Sequence, residues 1–261
     1  MKLHFERVGE GLPAYFFLHG FLGNLDNWRT IARTLQLRGS LYLIDARNHG
    51  LSPHTPIHNY PAMAADLVEL MESERLPQAH ILGHSMGGKT GMYMALHYPQ
   101  KVASLVVVDI SPKAYTGGHE IILQTLQKVN LAVGRREEVE SQLISAIPDI
   151  GTRQFLLKSL VRGADGQFTW RWNLSVLIQA YPAILEAIDG PIPYKGPVLF
   201  IKGERSPYIQ PADETAIHRL FPSAQILTIA HAGHWIHVDN PSELIQVLRR
   251  FWGEGLSLSP Q

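Results

Sequence analysis

The chain of 261 residues contains no cysteine. Disulfides, thiolate metal sites and a cysteine nucleophile are excluded by that absence, although it leaves the compartment open. Nor is there an excess of either charge: 23 Lys and Arg balance 23 Asp and Glu. The basic face that tracks a phosphate backbone is therefore missing, and no nucleic-acid partner is expected. No apolar run approaches the roughly 18 residues of a membrane span. Glu6, Arg7 and Glu10 interrupt the first ten residues, so a signal peptide is not expected there and the cytoplasm is the default location. Internal repeats, low-complexity tracts and heptads are absent as well.

What remains is an ordinary globular composition, 45% hydrophobic and 18% charged, on a chain long enough for one large domain or a domain with an insertion. Short apolar runs alternate with helix-period segments, which predicts an α/β fold with a mostly parallel sheet flanked by helices. The expected strands are Leu3 to Val8, Ala14 to Leu18, Ser40 to Ile44, Ala79 to Leu82, Val102 to Val108, Val198 to Ile201 and Gln225 to Ile229. Met63, Leu67, Leu70 and Met71 share one face of a helix over Tyr60 to Glu74, and Leu244, Val247, Leu248 and Phe251 repeat that pattern near the end. Between Pro112 and Lys195 the strand pattern stops. That stretch reads as several helices separated by Gly134, Pro148-Asp149, Gly163 to Gly166 and Pro182. The expected organisation is a core of residues 1–111 and 196–261 with a helical cap inserted at 112–195. The tail from Gly253 to Gln261 is expected to fray.

The densest information lies at Gly83-His84-Ser85-Met86-Gly87-Gly88-Lys89-Thr90, between an apolar run and a helix-like segment. As Gly-x-Ser-x-Gly it is a nucleophile elbow, whose small residues permit a sharp strand-to-helix turn that lifts Ser85 out of the sheet. As Gly-x-x-x-x-Gly-Lys-Thr it also fits a phosphate-cradling P-loop. Acyl transfer at Ser85 would further need a base, a group orienting that base and an oxyanion hole. His234, just after the last expected strand, is the candidate base, since an imidazole can take the serine proton and return it to the leaving group. His231 and His237 share its loop, so a His-x-x-His-x-x-His metal cluster is the competing reading there. In the fold this pattern suggests, an Asp often follows the next-to-last strand, but here that strand leads to Ser206; Asp109, ending the strand after the nucleophile strand, is therefore the candidate acid, with Asp213 and Glu204 as substitutes. His19-Gly20-Phe21 supplies a turn that would aim the Phe21 N–H at a tetrahedral oxyanion, with the Met86 N–H as its pair. Val106-Val107-Val108-Asp109 fits a magnesium-holding strand in the P-loop reading. Against that reading, some eighty residues with three strands precede the loop, and His234, His19-Gly20 and the insertion would have no role.

Together, His19-Gly20, Gly83 to Gly87 and Gly233-His234 resemble the α/β-hydrolase superfamily over nearly the whole chain. Asp45 to Ser52, Val108 to Pro112 and Trp170-Arg171-Trp172-Asn173-Leu174 look most like the YbfF-type bacterial esterases and related abhydrolase-domain proteins. The resemblance implies a Ser85, Asp109, His234 triad, in agreement with the absence of an acid at position 206. The implied reaction is hydrolysis of a carboxylic ester or acyl thioester through an acyl-enzyme, without metal or organic cofactor. Serine at position 85 argues against relatives that open their substrates with a carboxylate. Carbon-carbon bond hydrolases, lyases and acyltransferases keep the same Ser and His and stay open, as does a noncatalytic binding protein on this fold. For substrate contacts the candidates are Trp235 as a pocket wall and Arg171 and Lys113 as holders of an anionic group. Most apolar residues of the insertion are expected to build its own core. Asp45 and Arg47 are expected to form a structural ion pair bracing their loop.

Overall fold

The computed structural model describes residues 1–253. The expectation for the tail falls on residues outside that range, except Gly253, which ends the last helix. The first strands are β1 (Phe5–Glu10), β2 (Ala14–Leu18) and β3 (Gly39–Ile44), with α1 (Arg29–Leu35) between the last two. There follow α2 (Tyr60–Ser73), β4 (Ala79–His84), α3 (Met86–His97) and β5 (Val102–Val108). The first strand begins two residues later than its apolar pattern predicts. It is a half-exposed edge strand, and its limits are set by antiparallel pairing from Phe5 opposite Ile44 to Glu10 opposite Gly39.

Beyond β5 the chain leaves the sheet. It forms α4 (Glu120–Lys128), α5 (Arg136–Leu143), α6 (Ile150–Leu157), the strands β6 (Leu160–Arg162) and β7 (Phe168–Trp170), and α7 (Leu174–Leu185). Helices alone were expected here. Instead, β6 and β7 pair as an antiparallel hairpin across Gly163 to Gly166, and three-residue strands are too short to show an alternating signal. Pro182 lies inside α7 and does not separate two helices. The chain then returns through β8 (Val198–Gly203), α8 (Glu214–Leu220), β9 (Ala224–Ile229), α9 (Ile236–Asp239) and α10 (Pro241–Gly253).

Seven strands form one sheet in the order β1-β3-β2-β4-β5-β8-β9, parallel except for β1. Strand residues alternate between two cores. Phe16, Ile81, Val107 and Phe200 pack with Met63 and Leu67 of α2 and Met94 of α3, whereas Phe17, Leu82, Val106 and Ile201 face Ile31 of α1 and Leu244 and Leu248 of α10. Burying a side chain such as Phe16 or Phe200 contributes about 1.5 to 3 kcal/mol, so each central strand is anchored on both faces. Asn59 starts α2 by accepting the Ala62 N–H at 3.0 Å, with Pro61 in the first turn, where a missing N–H costs nothing. Because β2 has β3 on one side and β4 on the other, successive connections diverge at the carboxyl edge. A crevice opens there, as it does generally where a parallel sheet reverses its winding order.

Candidate active site

Ser85 sits between β4 and α3 with φ 51° and ψ −116°, a conformation L-residues rarely adopt. The flanking glycines are required by close approach: a Cβ on Gly83 would lie 2.1 Å from the Gly87 carbonyl oxygen, and one on Gly87 would lie 2.5 Å from that of Leu18. The turn is locked into the sheet by the Ser85 N–H donating to the Val108 carbonyl at 3.0 Å. Ser85 is left half-buried, on the wall of a cleft.

Asp109 follows β5, fully buried and also at positive φ (52°). Its Oδ2 accepts the Nδ1–H of His234 at 2.7 Å and the hydroxyl of Ser206, and its Oδ1 accepts the Gly203 N–H at 3.0 Å. A buried carboxylate needs such donors, and here the neighbouring strand end supplies two of the three. Ser206, noted in the sequence only for not being an acid, is thus a ligand of the acid. With Nδ1 fixed, the Nε2 of His234 is the free nitrogen on the wall that Ser85 shares. The two substitute acids are engaged elsewhere. Asp213 pairs with Lys113 at 2.7 Å, and Glu204 accepts the His231 N–H at 2.8 Å.

The three loop histidines diverge, contrary to a shared metal cluster. His231 is largely exposed beside Glu204, while His237 is buried between Trp28 (ring centroids 5.1 Å) and His84 (5.0 Å). Burial holds the His237 imidazole down at about 3, so it stays neutral. His84, which sequence reasoning passed over inside the elbow motif, donates from Nε2 to the His234 carbonyl at 2.9 Å and packs its ring 4.5 Å from that of His234. Burial, with help from its imidazole neighbours, pushes its pKa well below the ordinary value. It also explains Gly20, since a Cβ there would lie 2.8 Å from Nδ1 of His84. Tyr208 carried no sequence signal, yet its ring stacks on His234 at 3.9 Å.

Phe21 lines the cleft, and its N–H is taken up by no carbonyl among the described residues. Met86 is the first residue of α3, where amides lack intrahelical acceptors. Trp235 lines the same cleft and stacks on Phe155 at 5.3 Å. Arg171 and Lys113 are not among the cleft-lining residues, which corrects the expectation that they hold substrate. The charge of Lys113 is already met by Asp213. Arg171 belongs to the Trp170 to Leu174 stretch, which docks the segment by pairing Asn173 with Asn48 through a backbone bond of 3.0 Å and a side-chain bond of 3.1 Å. The Asp45–Arg47 pair is likewise corrected. Arg47 makes a buried bidentate bridge to Asp66 at 2.6 and 2.8 Å, while Asp45 accepts the N–H groups of Leu25 and Leu51.

The P-loop reading fails on Lys89. Its side chain is buried, and Nζ donates to the carbonyl of Glu186 at 2.5 Å, leaving no ammonium over an open phosphate cradle. Burial lowers its pKa to about 8.

The comparisons agree with this fold. The family model described as "alpha/beta hydrolase fold" matches residues 13–132. The sequence is 41% identical to the Mus musculus protein named sn-1-specific diacylglycerol lipase ABHD11, over 92% of this chain and 81% of the relative. It is 36% identical to Esterase YbfF of Escherichia coli (strain K12), over 90% of this chain and 91% of that one. A solved structure described as "Marine microorganism esterase" superposes with a TM-score of 0.93 at 39% identity, covering 96% of this chain and 99% of that chain.

Proposed function

The chain belongs to the α/β-hydrolase family and is an ester hydrolase, and we propose that Ser85, His234 and Asp109 are its catalytic triad. The observation that carries this reading is the 2.7 Å bond from His234 Nδ1 to the buried Asp109 carboxylate, on a ring that lines the same cleft as Ser85.

The chemistry follows from those positions. Asp109 holds the proton on Nδ1, so Nε2 carries the lone pair that accepts the Ser85 proton as Oγ attacks the ester carbonyl. The backbone N–H groups of Phe21 and Met86 would meet the negative charge on the tetrahedral oxygen, each at about 3 to 4 kcal/mol in a favourable case. The imidazolium then protonates the departing alcohol, leaving an acyl-enzyme on Ser85. Water, deprotonated by the same Nε2, releases the carboxylic acid and restores the hydroxyl. In this reading residues 112–195 act as a cap over the cleft, with Phe155 and Leu156 of α6 among its contributions to the wall.

The test is a panel of p-nitrophenyl esters and acyl thioesters on wild type and Ser85→Ala, with labelling by a serine-directed phosphonate. Wild type is expected to turn over and to label at Ser85, and Ser85→Ala to do neither. Background rates from both proteins on every substrate would refute the assignment.

A further inference from the structure

The cleft forks at the nucleophile. Phe21, Ser85, His119 and Tyr208 line both branches. One branch also carries His234, Phe155, Leu156 and Trp235 and has a volume of about 410 Å³. The other, between Tyr60, Lys89, Tyr115, Tyr181 and Ile184, has only about 30 Å³, room for roughly two water-sized groups at ~10–15 Å³ each.

Proton transfer decides which half of an ester enters which branch. The leaving oxygen must reach His234 Nε2, so the alcohol lies on the wide side, where that ring is part of the wall. His234 does not line the narrow branch, whereas Met86, at the oxyanion position, does. Resting on the triad reading above, we propose that the narrow branch is the acyl site and that it restricts the enzyme to acyl groups of acetyl or propionyl size, while bulky alcohols are accepted.

The restriction is built into the seam between sheet and segment. The last carbonyls of α7 have no partner within their helix, and side chains from the core take them. Tyr60 donates its hydroxyl to Ile184 at 2.6 Å, and Lys89 donates to Glu186 at 2.5 Å and more weakly to Leu185 at 3.4 Å. On the far wall Tyr115 donates to the Tyr208 carbonyl at 2.7 Å, and the Tyr181 hydroxyl accepts the His119 N–H at 3.0 Å. Widening the branch would strip buried polar groups of their partners, so a longer acyl chain meets walls that cannot give cheaply. The hydroxyls are turned into these bonds, which leaves ring faces and the Ile184 side chain for the acyl group.

The experiment measures kcat/KM for p-nitrophenyl acetate, propionate, butyrate, hexanoate and octanoate, then for acetates of larger aryl alcohols. Wild type is expected to lose roughly tenfold or more for the first methylene that exceeds the branch, and to tolerate the larger alcohols. Ile184→Ala should raise the butyrate-to-acetate ratio by about tenfold, and Ile184→Phe should lower the propionate-to-acetate ratio by a similar factor. A folding defect lowers every rate together and leaves such ratios unmoved. Octanoate cleaved as well as acetate, in a reaction abolished by Ser85→Ala, would overturn the acyl-site assignment while sparing the triad. Ratios that neither Ile184 variant moves would also overturn it, and absence of Ser85-dependent turnover on every ester would remove both.

Discussion

At the sheet edge, the groups proposed to do chemistry stand one apiece beyond the ends of parallel strands: Phe21 beyond β2, Ser85 beyond β4, Asp109 beyond β5 and, past the intervening β8, His234 beyond β9. Across the cleft, the segment between β5 and β8 contributes His119, just ahead of α4, and Phe155 and Leu156 of α6, none of them held by a strand. The first set is fixed by backbone, with Ser85 and Asp109 both at positive φ and glycines admitting carbonyls within 3 Å of where a Cβ would be. The second is fixed by side chains reaching carbonyls, as Tyr60, Lys89 and Asn173 do. Backbone placement holds reacting atoms to fractions of an ångström, and side-chain docking leaves a wall that can be re-cut one residue at a time.

The contrast can be broken most severely at Asp109. Asp109→Asn is expected to lower kcat about ten-thousandfold with the fold retained, because the amide favours the wrong tautomer of His234; steady-state kinetics with circular dichroism checks both halves. Ser206→Ala removes one donor to the carboxylate but leaves Gly203, and the expected loss is about tenfold in kcat with KM little changed.

Acid should separate stability from chemistry. His58 and His237 are buried and held neutral down to about 3, whereas the unfolded chain protonates them near the ordinary imidazole value of 6.5. Between those values the unfolded state binds more protons. The stability these groups contribute is full above the unfolded value and falls with pH until the folded value is passed. At pH 5 the expected loss is about 2 kcal/mol for each, seen as a lower urea midpoint than at pH 8. Lys89 works in a neighbouring window with the same sign: its folded value near 8 lies below 10.5, so its burial cost is relieved as pH rises between them. Replacing His237 with Phe should flatten the acid limb of the stability profile. The smallest effects are expected at Lys113→Ala and Arg171→Ala. Neither residue lines the cleft, so kcat/KM should stay within about twofold of wild type, the usual scale for substitutions away from a site.

The same contrast governs what could be read from sequence. The central strands announced themselves because they are buried on both faces, and Ala14–Leu18 and Val102–Val108 match their apolar runs residue for residue. Of the proposed triad, Ser85 and Asp109 could be picked out because each directly follows such a run, and His234 because it comes in the loop after the last one, in a fixed chain order. What stayed hidden depended on contacts between residues far apart. The His84 bond to the His234 carbonyl spans 150 positions and the Ser206 bond to Asp109 spans 97, and no local pattern encodes either. Arg47 was paired with the wrong carboxylate because Asp66 approaches it only after α2 packs. The β6–β7 hairpin was missed because its strands are three residues long.

The carboxylate that steadies His234 stands on the last residue before the chain departs for its long excursion, and its other donors come from the strand that receives the chain on return. The proposed proton relay would therefore be closed within the sheet on either side of that excursion. If the proposed relay holds, substitution, shortening or exchange of the intervening helices would alter what the enzyme admits without touching it, leaving selectivity free to drift while reactivity is kept.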